Sequence, residues 1–144
     1  MTGCPFVDTN VFLRYLLGDY EPHSQVAAEL IEEAAKGSQC LSTSATVVFE
    51  SMFTLTKTYK IGRDAAAQGL REILELESIV IADKAALIHA FDLFAVFKQL
   101  SFADCYHAAL SLEHNNGEIY TFDKEFRRIP GITRLEPGSE MLPP

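Results

Sequence analysis

The segment FVDTNVFLRYLLG, residues 6 to 18, decides how this chain is read. It passes from an apolar start into Asp8 and Asn10, two residues apart, and then into a run rich in Val, Phe and Leu that ends at Gly18. The spacing predicts a short buried strand, Cys4 to Val7, followed by a helix, Asn10 to Leu17, that the glycine stops. A polar side chain at the end of a buried strand either caps the following helix or takes part in chemistry. What else the chain brings to that strand end decides between the two.

Outward from this segment, strand and helix patterns alternate. Pro22 opens a helix through QVAAELIEEAAK to Gly37, with proline at the start and glycine past the end. Gln39 to Ser42 reads as a second strand. Ser44 caps a long helix, Ala45 to Tyr59, and another helix follows from Asp64 to Leu76. Ser78 to Ala82 reads as a third strand. Asp83 opens a helix reaching Lys98, and Ser101 opens one that ends near the turn signal Asn115-Asn116-Gly117. Glu118 to Phe122 and Thr133 to Leu135 complete the set as fourth and fifth strands.

Short apolar strands alternating with helices predict an α/β fold, a parallel sheet covered by helices on both faces. In such sheets ligands bind beyond the carboxyl ends of the strands. No repeat or Pro/Ser-rich linker divides the chain, so one domain over residues 1–137 is expected, with GSEMLPP, 138 to 144, as a flexible tail.

The 144 residues suffice for a single core, and 48% of them are hydrophobic. No apolar run approaches the roughly 18 residues a membrane span requires, and MTGCPFVDTN is unlike a signal peptide. A soluble cytoplasmic protein is expected. Cys4, Cys40 and Cys105 are odd in number and lack C-x-x-C spacing, so they read as small buried apolar residues and not as a disulfide framework or zinc site. The net charge of −8 argues against a protein that coats nucleic acid by bulk electrostatics. It does not exclude a nucleic-acid enzyme, because clustered carboxylates can be neutralised by a divalent cation.

Four acids stand out. Asp8 and Asp123 lie at the carboxyl ends of expected strands, with Asn10 and Thr121 each two residues away, on the same face of an extended segment. Glu50, in TVVFESMFTL, and Asp104, in LSFADCYHAAL, interrupt apolar stretches, where an acid needs a partner. Asp104 falls on the shoulder of the stripe Phe102, Cys105, Ala109, Leu112. Glu50 falls nearly opposite the stripe Val48, Met52, Leu55, Tyr59, with Val47, Phe53 and Thr54 around it, which leaves open whether it is covered or faces outward. Each acid also has a bland reading: Asp8 as a helix cap, Asp123 as a turn residue, Glu50 as a solvated helix face. Together they suggest a cation site. Packed carboxylates repel unless a hard cation neutralises them, and oxygen-only donors suit Mg²⁺ or Mn²⁺ better than zinc. Such a site supports phosphodiester hydrolysis.

The order of these pieces resembles the PIN-domain ribonucleases, specifically the VapC toxins of bacterial and archaeal toxin–antitoxin pairs. The resemblance rests on FVDTNVFLRYLL, the acid of VVFESMFTL, SFADCYHAAL and IYTFDKEFRRIPGI, which together span the chain. It implies a three-layer α/β/α sandwich with a five-stranded parallel sheet. It implies an Mg²⁺- or Mn²⁺-dependent endoribonuclease that leaves 5′-phosphate and 3′-hydroxyl ends. Asp8, Glu50, Asp104 and Asp123 become its catalytic metal-binding carboxylates, with Asn10 and Thr121 as polar helpers. A homodimer and a VapB-like antitoxin partner are implied as well. Some relatives carry asparagine where Asp123 stands and move the acid onward, so Glu125 is a spare ligand by that pattern.

RNA needs local positive surface on an acidic protein, because phosphate contacts position the strand. Arg14, a helix turn and a half after Asp8, and Lys124, Arg127 and Arg128, beside Asp123, are the expected substrate contacts. Lys57, Lys60 and Arg63 form a second basic stretch, equally explained as helix-end charges. His107, three residues after Asp104, reads as a structural or supporting histidine, and Asp92 as an exposed helix acid. Two rivals are weighed. A haloacid-dehalogenase-like phosphoryl transferase with Asp8 as nucleophile would want an acid where Asn10 stands. A catalytically inactive PIN-like module that binds RNA or protein would have no reason to keep four clustered acids.

Overall fold

The computed structural model describes residues 3–138. Past Gly138, the expected tail lies outside the described residues. The chain forms two compact units, Met1–Lys84 and Ala85–Pro144.

In the first unit the opening strand is reduced to a parallel bridge between Phe6 and Ser42. The Val7 amide donates to the Ser42 carbonyl at 2.8 Å and the Ser42 amide to the Pro5 carbonyl at 2.9 Å. Pro5 has no amide hydrogen to extend the ladder. The chain then turns into α1, Thr9–Leu17, whose end at Gly18 has φ +61°, and α2, His23–Lys36, whose end at Gly37 has φ +82°. Strand β1, Leu41–Ser42, pairs in parallel with β2, Ile79–Val80. Between them run α3, Ala45–Phe53, a π-helical turn, Thr54–Thr58, and α4, Arg63–Leu74. Parallel neighbours need such a crossover, so this half alone is already α/β. Phe12, Leu41, Val48, Leu70, Leu74 and Ile79 are almost wholly buried at its centre.

The long third helix does not continue regularly to Tyr59. Thr56 Oγ1 donates to the Met52 carbonyl at 2.8 Å and also reaches the Phe53 carbonyl at 3.4 Å. These hydroxyl contacts compete with backbone amides for the same acceptors, and the helix widens into the π-turn.

The cysteine reading is corrected here. Cys4 and Cys40 are joined by a disulfide, with Cα atoms 4.9 Å apart, and both are partly exposed. They flank neighbouring parallel segments at the same end, a proximity that 36 residues of intervening sequence conceal. Cys105, outside the disulfide, is buried as the sequence suggested.

In the second unit, α5, Lys84–Val96, begins at the boundary and is followed by α6, Phe102–His114. Phe102 meets Phe91 with ring centres 4.6 Å apart and Phe94 edge-on at 5.5 Å. Strands β3, Glu118–Tyr120, and β4, Thr133–Leu135, pair in parallel through a 3₁₀ turn, Lys124–Arg128. The turn between α6 and β3 needs its glycine. Gly117 has φ +78°, and a Cβ there would lie 2.0 Å from the Gly131 carbonyl oxygen. Four of the five expected strands are shortened, the first to a single bridge and the next three to two or three residues, while Thr133–Leu135 keeps its expected bounds. Apart from the third helix, the helices stay within about two residues of their predicted bounds.

Candidate active site

Asp8 is the N-cap of α1: its Oδ1 accepts from the Thr9 amide at 2.7 Å, and the residue is exposed. The next side chain carries the long-range contact. Thr9, only 6% exposed, donates its hydroxyl to Glu50 Oε1, forty-one residues away on α3. Glu50 faces outward, and that contact ties it to the first residue after Asp8. Thr9 therefore links two acids, its amide donating to Asp8 and its hydroxyl to Glu50. Asn10 is exposed on the rim of a groove between α1 and α2, about 280 Å³ in volume, whose walls include Val11, Val26 and Leu30.

The second unit holds the other two acids, each at a helix start. Ser101 and Asp104 form a reciprocal capping box: the Asp104 amide donates to Ser101 Oγ at 3.1 Å and the Ser101 amide to Asp104 Oδ2 at 3.3 Å. Asp104 is partly exposed on the shoulder of α6, with Phe102, Cys105 and Ala109 buried beside it. Asp123 caps the 3₁₀ turn, its Oδ1 accepting from the Glu125 amide at 2.9 Å. Thr121 supports that bend by accepting from the Asp123 amide at 3.0 Å, while its carbonyl takes the Arg134 guanidinium at 2.8 Å.

Three of the four acids thus cap helix starts, and two of these, Asp8 and Asp123, also stand at strand ends. The bland and the chemical readings describe the same placement, because a helix N-terminus favours negative charge. Among the described residues no group of three or more His, Cys, Asp or Glu side chains forms a cation-binding cluster. The donors on each unit are oxygens only, the chemistry that Mg²⁺ and Mn²⁺ prefer.

The family model of the PIN domain matches residues 6–132. The chain belongs to the PIN-domain family. Two proteins align with it at 29% identity over 130 residues, covering 90% of this chain and 97% of each relative. They are named VapC ribonuclease Mb1869c, from Mycobacterium bovis, and ribonuclease VapC13, from Mycobacterium tuberculosis.

Within this PIN domain the basic residues are placed unevenly. Arg14 is engaged inside the first unit, with Nη1 3.1 Å from Asp19 and Nη2 donating to the Tyr59 hydroxyl at 3.1 Å. Arg128 pairs with Glu125, which binds the spare acid of the sequence reading to a cation. Lys124 and Arg127 are exposed, and so are His107 and Asp92. The residue that sequence reasoning missed is Thr9. Alternation in DTN directed attention to Asp8 and Asn10 on one face, whereas Thr9, already the first residue of the helix, turns inward to Glu50.

Proposed function

We infer that the chain is a metal-dependent endoribonuclease that hydrolyses RNA phosphodiester bonds, the toxin member of a toxin–antitoxin pair. The match to the PIN domain over nearly all of the chain and two relatives named as VapC ribonucleases support this reading. The single structural observation that carries it is the Thr9–Glu50 hydrogen bond. It ties an outward-facing acid of α3 to the start of α1, where a merely solvated glutamate would have no call on a buried hydroxyl.

In this reading both units serve one PIN domain over residues 1–137, with their parallel strands belonging to a five-stranded sheet. Asp8, Glu50, Asp104 and Asp123 would hold Mg²⁺ or Mn²⁺, which when bound would neutralise the carboxylates, activate water and stabilise charge on the phosphate. The chain's own residues prepare that chemistry. Each capping acid commits an oxygen to a backbone amide, which fixes its orientation before substrate arrives. Thr9 holds Glu50 in the same way, and Thr121 fixes the bend that carries Asp123. Lys124 and Arg127 offer phosphate contacts. The apolar groove between α1 and α2 is suited to the side chains of an antitoxin segment, and a homodimer and a cytoplasmic setting complete the proposal. No helix among the described residues is long and apolar enough to cross a membrane.

The test is RNA cleavage by purified, antitoxin-free protein with Mn²⁺, with EDTA, and as Asp8→Asn or Asp104→Asn. Loss of about 100-fold or more is expected for each variant, beyond the 10- to 100-fold typical of groups that only support a ligand. Cleavage that persists in EDTA, or in both variants, would sink the mechanism.

A further inference from the structure

Phe53 is a large aromatic left 64% exposed at the end of α3. A lone exposed phenylalanine is ordinary; its surroundings set this one apart. It follows Glu50 by three residues, and Lys57 follows it by four, so the three share one helical face. Glu50 to Phe53 advances about 4.5 Å along the axis. From Ser51 to Arg63 the chain carries Lys57, Lys60 and Arg63 and no carboxylate, in a protein whose net charge is −8.

The face is also held at both ends by α1. At one end Thr9 donates to Glu50, and at the other Arg14 donates to Tyr59, the residue closing the π-turn. Lys60 then turns the chain with φ +58°, a left-handed conformation that costs a non-glycine residue energy. The result is an ordered, outward-facing series of carboxylate, aromatic ring and ammonium groups on the helix that leads away from Glu50.

We propose that Phe53 is a base-stacking platform for single-stranded RNA, with Lys57 and Lys60 contacting the neighbouring phosphates, so that a base next to the cleaved bond is unstacked onto this ring. The proposal rests on the ribonuclease reading for its substrate. The occupant follows from charge: an anionic strand suits a cationic stretch on an acidic protein, and an aromatic ring accepts any base by its face. A duplex keeps its bases stacked on one another and cannot use the ring.

The chain contains no tryptophan, so Phe53→Trp introduces a single reporter. In an Asp8→Asn background, to keep the strand intact, with Ca²⁺ present, Phe53→Trp emission is expected to be quenched by fluorescein-free oligouridylate or oligoadenylate. Affinity for labelled versions of these strands, read by anisotropy, should fall about 5- to 150-fold in Phe53→Ala, the equivalent of the ~1–3 kcal/mol that one stacked base supplies. Phe53→Tyr should restore it. Val96→Ala, another exposed apolar side chain, should change nothing, and duplex RNA should bind wild type and Phe53→Ala alike.

Unchanged emission, or Phe53→Ala binding single strands as tightly as its parent, would overturn the platform. So would a change in sedimentation with RNA affinity intact, which would assign the face to a protein contact. Cleavage by the parent chain is measured separately. If it fails while the Phe53 effects appear, the nuclease reading falls and the platform stands.

Discussion

Replacing Thr9 by valine removes one hydroxyl and nearly preserves shape, which makes it the most direct probe of how α1 and α3 cooperate. Thr9 is buried and its partner Glu50 is exposed, so water can reach the freed carboxylate and no buried group is left unpaired. The stability cost should be that of one ordinary hydrogen bond, about 1 kcal/mol. For a chain of this size that is a fall in Tm of roughly 3–5 °C. The effect on activity should be larger. Glu50 would lose its fixed orientation, and groups that orient a metal-binding side chain typically contribute about 10- to 100-fold.

The assay is Mn²⁺-dependent RNA cleavage, resolved into kcat and KM, beside thermal melts of wild type, Thr9→Val, Thr9→Ser and Glu50→Gln. Thr9→Ser should stay near wild type in both measurements. Glu50→Gln can still accept the hydrogen bond, so it should melt near wild type and yet be inactive. A Thr9→Val protein that melts lower but cleaves as wild type would show that the hydrogen bond is structural only. Serine and valine behaving alike would show that the hydroxyl is not the relevant group.

Other outcomes follow from the same geometry. Gly117→Ala should lower the urea midpoint by an amount equivalent to about 3 kcal/mol, since it combines a positive φ with a backbone clash. Gly18→Ala, at φ +61° with open space around it, should cost only about 1 kcal/mol, and equal costs would refute the role of the clash. Opening the Cys4–Cys40 disulfide by Cys4→Ser should remove about 4 kcal/mol on the loop-entropy account for a separation of 36 residues, read as the difference in unfolding midpoint. Lys84 donates to the Leu76 carbonyl at 2.8 Å, and burial lowers its pKa from the ordinary 10.5, partly offset by Glu77. The folded state thus releases this proton before the unfolded state does. Stability should therefore rise with pH from the lowered value up to about 10.5, and Lys84→Met should flatten that rise in denaturation curves taken across the alkaline range.

What the sequence settled was local. Gly18 and Gly37 ended their helices, and Ser44 and Ser101 began theirs, because capping involves residues within a few positions of one another. The alternation of strand and helix was legible for the same reason, and so was the stripe of α6 that leaves Asp104 on its shoulder. The order of the four acids carried the family. The structure decided what depends on residues far apart in the chain. Periodicity could not choose between a covered and an outward Glu50; the outward position and its hold on Thr9 come from the packing of α1 against α3. The regular helix expected through Tyr59 widened from Thr54 because the Thr56 hydroxyl competes for carbonyls that a pattern of hydrophobicity does not register. Four of the five expected strands shortened, and Cys4 met Cys40, because pairing between chain segments fixes which residues become neighbours. Composition and spacing describe each segment alone, and only tertiary contact sets one segment against another.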